Sequence, residues 1–367
     1  MLPLDNQIAI DGPLRIADGY GNMTIGMIEG LAKEGIKVFS NQNWGRIDYD
    51  ASDEVREAVK RGFGQCNYGI RCSQPDSFHI GPGKTKIGFS MWEFTHTPKA
   101  NWRFINGQWV KQINWTDGMN RANINFVPCN FSKQLWIEAG CKKPIYVVPL
   151  GFSPDIYHYF DRPKRPKFTF IVAGTLSARK CPDMIKDAFL KVFKGIKDVQ
   201  IIFKTPKHLP LVFKEKDERI TIINETYSEA EMNHLYTSGD VFISATQGEG
   251  FGLPAIEAMA TGMPAIVTNW SAPTDYMDED IGWLLDYYMK NIDSDYFINR
   301  GDPKSRCEIF GFAQPKQDHL EQIMKHCYDH QEEVREKGKK AHEKMINNYT
   351  WQHTAKRIID ILTKEEK

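Results

Sequence analysis

Asp240-Val241-Phe242-Ile243-Ser244 is followed shortly by Gly248-Glu249-Gly250-Phe251-Gly252-Leu253-Pro254-Ala255-Ile256-Glu257-Ala258-Met259-Ala260-Thr261-Gly262. The first run is apolar and β-branched and reads as a buried strand. Residues 254–262 read as a short helix ended by a glycine. The unit is therefore strand, glycine-rich turn, helix. Pro254 suits the first helical turn, where no backbone donor is lost. A turn of this kind lets amides at a helix N-terminus face an anion such as a diphosphate. Glu249 stands in the turn and Glu257 on the first turns of the helix, eight residues later. Carboxylates accept hydrogen bonds from sugar hydroxyls, so both can serve a ligand lying over the helix start.

The pattern repeats on either side. Gly262-Met263-Pro264-Ala265-Ile266-Val267 leads into a further strand. Upstream, strands are expected at 168–173, 199–203 and 220–223, and helices at 184–194 and 229–238. Pro163-Lys164-Arg165-Pro166-Lys167 is a proline-bracketed polar link and reads as a domain boundary. Before it, strands at 7–11, 35–40, 68–72, 86–91, 124–127 and 145–148 alternate with helices at 22–32, 52–61, in the 102–113 region and at 132–139. Such alternation predicts α/β architecture with parallel, doubly wound sheets. The expected organisation is an N-terminal domain over 1–150, a C-terminal domain over 151–350 and a last helix within 351–367. Trp351, Ala355, Ile358, Ile359 and Leu362 recur at helical spacing there. That helix either caps its own domain or crosses back to the first.

Composition narrows the class. The 367 residues suffice for two ordinary domains. Lys and Arg offset Asp and Glu at 47 each, which gives no global pull toward nucleic acid or acidic membranes. No apolar run approaches the roughly 20 residues that span a bilayer, and the start lacks a basic-then-apolar signal segment. Seven scattered cysteines, without paired spacing, fit reduced thiols and a cytoplasmic setting. Sequons such as Asn269-Trp270-Ser271 carry no meaning in that setting.

The 248–260 stretch resembles the Glu-x7-Glu signature of the retaining family-4 glycosyltransferases. These have the GT-B fold, two facing Rossmann-like domains with a cleft between them. The resemblance is specific over about residues 168–285 and looser over the first half. It implies that Glu249 and the backbone of Gly250, Phe251, Gly252 and Leu253 contact the donor sugar, and that Glu257 bonds the ribose. Family members carry a basic residue directly after the glycine that ends the first strand of the second domain, and a Lys a few positions later. In Gly174-Thr175-Leu176-Ser177-Ala178-Arg179-Lys180 the later position is Lys180, while Thr175 departs from the pattern and Arg179 is its replacement. Both cations can pair with the growing charge of a leaving diphosphate. Lys204, at the end of an apolar strand, is a further cation that can face the ligand.

In the first half, Asp18-Gly19-Tyr20-Gly21-Asn22 lies between the first strand and the first helix. There the resemblance implies a glycine-rich loop facing the diphosphate and acceptor through Gly19 and Gly21. Loops after parallel strands bind ligands, so Met91-Trp92-Glu93-Phe94-Thr95-His96 is a second candidate. By resemblance His96 touches the donor sugar. Trp92, Glu93 and Trp102 are acceptor-side candidates, since aromatic faces stack on sugars and bases. The 174–180 and 248–260 stretches themselves contain no Asp-x-Asp, so the motif architecture offers no metal site of that kind.

The resulting expectation is a retaining, metal-independent glycosyltransferase that needs no cofactor. It would use a nucleoside-diphosphate sugar as donor, with Glu249, His96 and Lys180 at the reaction centre. The acceptor stays open among a glycan, a small molecule and a hydroxymethylated base in DNA. A non-catalytic nucleotide-sugar-binding module is the alternative of another class, and a GT-B epimerase or phosphorylase is a third.

Overall fold

The computed structural model describes residues 6–15, 19–41, 51–97, 101–105, 108–208, 216–292 and 310–365. They form two compact units. One comprises Met1–Gly151, Lys290–Phe312 and Trp351–Lys367; the other comprises Phe152–Met289 and Ala313–Thr350.

The first unit contains β1 (Gln7–Asp11), α1 (Gly19–Lys33), β2 (Lys37–Phe39), α2 (Asp53–Arg61), β3 (Tyr68–Cys72) and β4 (Thr85–Phe89). These are followed by β5 (Asn101–Ile105), β6 (Gln108–Gln112), α3 (Trp115–Arg121), β7 (Ile124–Val127), α4 (Asn130–Glu138) and β8 (Ile145–Val147). Its sheet runs β2-β1-β3-β4-β7-β8 with parallel pairing throughout. The strands bury both faces, as in YGIRC of β3 and INFV of β7, as expected of a parallel sheet covered on both sides. The helix expected in the 102–113 region is a correction: β5 and β6 are an antiparallel pair, with Trp102 opposite Lys111 and Phe104 opposite Trp109. Asn106-Gly107 between alternating aromatic and polar residues is a hairpin signal, and it outweighs the helical spacing. A second correction concerns Gly19 and Gly21. They lie in the first turn of α1, not in a loop before it.

The second unit contains β9 (Phe168–Ala173), α5 (Pro182–Val192), β10 (Val199–Thr205), β11 (Ile220–Asn224), α6 (Glu229–Ser238), β12 (Val241–Ser244), α7 (Leu253–Ala260), β13 (Ala265–Thr268) and β14 (Gly282–Leu285). After β15 (Tyr287–Ile292) and β16 (Phe310–Pro315) come α8 (Gln317–Asp329) and α9 (Gln331–Asn348). The sheet order is β11-β10-β9-β12-β13-β14, all parallel. Counted within the unit this is 3-2-1-4-5-6, the order of dinucleotide-binding folds. Its switch point lies between β9 and β12, where such sheets bind ligands beyond the strand ends. Ser228 and Glu231 form a reciprocal capping box that fixes the start of α6. Phe170, Phe189, Phe193, Phe203, Ile201 and Ile243 anchor the core under the sheet, each at 0–1% exposure. Full burial of such side chains contributes roughly 1.5–3 kcal/mol apiece.

The last helix, α10 (Trp351–Glu365), packs on α1 of the first unit. The Trp351 ring lies where a side chain at Gly26 would stand, with Cε2 at 1.9 Å from the position of a Cβ. Gly30 likewise admits the Trp351 carbonyl. Only residues without a Cβ permit so close an approach.

Candidate active site

Strand β12 delivers the chain to Thr246–Gly248, and this turn is held from two sides. The Gln247 amide donates to the Arg179 carbonyl at 2.9 Å, and the Gln247 carbonyl accepts from the Ala313 amide at 3.2 Å. Gln247 Nε2 also donates to Gln314 Oε1 at 2.9 Å. Gly252 then adopts φ 96° and ψ 44° as the N-cap of α7, with Pro254 in the first turn. A Cβ at Gly252 would lie 2.6 Å from the Tyr276 hydroxyl, so both conformation and space demand glycine. Gly174, at the end of β9, faces Pro254, whose Cγ would stand 3.8 Å from a Cβ there. The switch point thus brings the exit of β9 against the start of α7.

Glu249 is buried at 6% exposure. Its carboxylate binds Lys180 Nζ through Oε1, and Arg179 Nη1 stands 3.7 Å from Oε2. The same guanidinium donates to the Gly248 carbonyl. Burial alone would raise the Glu249 pKa, but Lys180 and Arg179 outweigh it and hold the carboxyl below its ordinary range. The Glu249 amide donates to Ser271 Oγ at 2.9 Å. Ser271 sits at φ 61° and ψ −144°, an uncommon conformation for a residue with a side chain and one concentrated at functional sites. Sequence reading dismissed Ser271 as part of an idle sequon, and its backbone gives no sequence signal.

Glu257, on α7, is buried at 8% exposure and accepts the Tyr236 hydroxyl at 3.0 Å through Oε2. Burial pushes its pKa up to about 7, against the opposing Tyr236 bond and the charge of Lys204. Lys204, next to last in β10, is itself buried and holds its ammonium 5.0 Å from the centroid of the Tyr227 ring. Burial lowers the Lys204 pKa and Glu257 raises it in part. Tyr236 was missed from sequence because it stands 21 residues from Glu257, on another helix. Sequence reading placed Lys204 among candidates from its position at a strand end.

The arrangement has clear chemical capacity. Two cations beside a helix N-terminus suit a diphosphate, and two buried carboxylates suit hydroxyl donors. Among the described residues no group of three or more His, Cys, Asp or Glu side chains is disposed to hold a metal ion.

Of the first unit's candidates, Gly19 and Gly21 follow β1, and Trp92, Glu93 and His96 follow β4. A Cβ at Gly19 would lie 3.9 Å from Met91 Cε, and Tyr20 accepts the Met91 amide at 3.0 Å. Burial pushes the Tyr20 hydroxyl up to about 12, and Glu93 adds to the rise. Gly21 admits the Arg15 carbonyl, 1.8 Å from the position of a Cβ. His96 is exposed, with Nδ1 2.8 Å from Thr95 Oγ1. The Trp92 indole donates to the His96 carbonyl at 2.7 Å and meets Trp115 edge-on at 4.7 Å. Its ring therefore anchors the loop as well as lining it. Trp102 lies on β5, and its side chain is outside the described residues.

Residues 167–297 match the family described as glycosyl transferases group 1. The fold is GT-B, shared over nearly whole chains with solved glycosyltransferases. The sucrose-phosphate synthase of Thermosynechococcus elongatus aligns with a TM-score of 0.65 at 12% identity, covering 98% of this chain and 99% of that one. HepE of Anabaena in complex with UDP and glucose gives 0.62 at 13% identity, with 98% and 99% covered. A "Probable sucrose-phosphate synthase" of Thermosipho melanesiensis is 25% identical over 237 residues, 61% of this chain and 48% of that protein. The chain spans about half the length of the curated relatives it matches first. Arg179, Lys180, Glu249 and Glu257 all lie within the matched residues.

Proposed function

We propose that the chain is a retaining glycosyltransferase, working in the cytoplasm without a metal ion. It moves a sugar from a nucleoside-diphosphate sugar to a hydroxyl acceptor. The observation that carries this reading is the convergence of Lys180 and Arg179 on Glu249 at the start of α7. A diphosphate over the helix N-terminus takes these cations from Glu249, whose carboxylate then accepts from hydroxyls of the transferred sugar. As the bond between the anomeric carbon and the phosphate oxygen breaks, negative charge grows on the leaving group. Lys180, Arg179 and the helix start stabilise that charge more than the ground state. Glu257 takes the ribose hydroxyls, and Lys204 keeps a positive charge near it. In the first unit Gly19 and Gly21 serve the diphosphate and acceptor, His96 the donor sugar, and Trp92, Glu93 and Trp102 the acceptor.

The relatives guide the choice of donor. One HepE structure holds UDP and glucose, and a mycobacterial relative is named a GDP-mannose-dependent mannosyltransferase. The test is a thermal-shift screen of UDP- and GDP-sugars, followed by transfer assays with chelator present. The anomeric configuration of the product is then read by NMR. The expected result is chelator-resistant transfer with retained configuration. Inversion, or a strict requirement for a divalent ion, overturns the mechanism. Binding without hydrolysis or transfer to any acceptor marks a binding module instead.

A further inference from the structure

Arg162 stands in the link before β9 and is buried at 5% exposure. Its guanidinium is fully engaged with main-chain and hydroxyl oxygens. Nε donates to the Gly239 carbonyl at 3.0 Å, and Nη2 to the Tyr236 carbonyl at 3.1 Å. Nη1 donates to the Thr261 carbonyl at 2.6 Å and to the Phe160 carbonyl at 3.1 Å. Nη2 also reaches Thr261 Oγ1 at 2.8 Å. Tyr236 and Gly239 belong to the C-terminal end of α6, and Thr261 caps α7. Helix ends leave carbonyls unsatisfied and carry partial negative charge. One cation therefore closes two helices at once.

Those two helices carry the pair that meets the proposed ribose site. The Tyr236 side chain donates to Glu257, and the Thr261 amide donates to the Glu257 carbonyl at 3.3 Å. Arg162, Tyr236, Glu257 and Thr261 thus form a closed ring of contacts, linked by backbone on one side and by side chains on the other. A buried carboxylate bonded to a single phenol is oriented only as well as the two helices are held. Arg presents five donors in a rigid plane, whereas Lys presents a flexible point charge.

We propose that Arg162 is a positioning residue for ribose recognition: it fixes α6 against α7 so that Tyr236 holds Glu257 toward the ribose hydroxyls. This rests on the ribose reading of Glu257 given above. Arg162 touches no substrate, and its effect passes through Tyr236 and Glu257.

The test compares the affinities of UDP and GDP with those of their 2′,3′-dideoxy analogues, by calorimetry, in wild type and in R162K. Wild type is expected to favour the better-bound ribonucleotide about tenfold over its dideoxy form, the size of one charge-assisted hydrogen bond. In R162K that preference is expected to fall below about threefold, with affinity for the dideoxy analogue nearly unchanged. General loosening of the fold would instead weaken both ligands alike. Thr261→Val, which removes the hydroxyl that accepts from Arg162 and donates to the Ala258 carbonyl while keeping the main-chain contact, is the milder second variant should R162K fail to fold, and it is expected to show an intermediate preference. Equal binding of both ligand forms by wild type removes Glu257 from ribose recognition, and the inference falls with it. An undiminished preference in both folded variants, with wild type discriminating, overturns the role of Arg162 alone.

Discussion

Tyr236 donates its hydroxyl to Glu257 at 3.0 Å, in a setting where both side chains are buried. The bond supports the carboxylate without neutralising it, and the pKa of Glu257 rises to about 7. Its ordinary value of 4.5 applies once the chain unfolds, so the group links folding to pH.

The sign follows directly. Between pH 4.5 and about 7 the folded chain binds a proton at Glu257 that the unfolded chain has lost. This contribution to stability is complete below 4.5 and is lost as pH rises through 7. The displacement corresponds to about 3 kcal/mol at full extent. Glu257→Gln keeps an oxygen for Tyr236 and removes the titration. Urea unfolding is expected to give equal stabilities near pH 4 and a more stable variant at pH 8, by up to about 3 kcal/mol. Parallel pH curves for the two proteins would remove the buried, raised carboxyl.

Lys180 is the closest cation to Glu249, with 12% of its side chain exposed. Lys180→Ala is expected to lower kcat by about 10²-fold, in line with loss of one oriented electrostatic contact. Affinity for the free nucleoside should barely change, since that ligand carries no diphosphate. Single-turnover rates and nucleoside titrations measure the two effects separately. Wild-type turnover in the variant would assign the cations to Glu249 alone.

At Gly252 a side chain meets both an unfavourable backbone conformation and the Tyr276 hydroxyl. Gly252→Ala is expected to cost about 1–3 kcal/mol and to weaken donor binding, because the start of α7 must shift. Denaturant unfolding and calorimetry on the same preparation check this. Unaltered stability and affinity together would show that the turn tolerates a Cβ.

His96 is exposed and fixed by Thr95, which in turn exchanges hydrogen bonds with Gly311. His96→Ala is expected to slow transfer at saturating donor by tenfold or more, an estimate of about 1.4 kcal/mol in the barrier, with donor affinity conserved. The same assay run on hydroxymethylated DNA distinguishes acceptors. Activity that falls steeply with salt marks a phosphate-bearing acceptor. Absence of transfer to such DNA with any donor the chain binds removes it.

Sequence was most informative where structure is set locally. The helix Glu229–Ser238 coincides with its expected span and the strand Val241–Ser244 begins one residue inside its own, because a capping box and a β-branched run act over a few residues. The 101–112 segment was misread because aromatic residues spaced for one helix face also alternate for a hairpin, and only Asn106-Gly107 separates the two. Gly19 and Gly21 were placed in a loop because glycine disfavours helices. At Gly21 its use in α1 reflects crowding by the Arg15 carbonyl, whereas Gly19 has room for a side chain beside Met91. In the site, Glu249, Glu257, Arg179 and Lys180 were legible as a motif. Their supports were not: Ser271 lies 22 residues from Glu249, and the bonds of Arg162 to α6 and α7 span 74 to 99 residues.

The seating of Trp351 against Gly26 and Gly30 also orders events during synthesis. The second unit is built from the middle of the chain, so all its strands β9–β14 leave the ribosome before α10 does. The first unit begins translation earliest yet waits for the last helix before α1 has its partner. Until then the groove around Gly26 presents apolar surface to the cell, and a polypeptide halted at Thr350 would keep it open. Such a fragment leaves α1 without α10, whereas the second unit, Phe152–Met289 and Ala313–Thr350, is already complete in sequence.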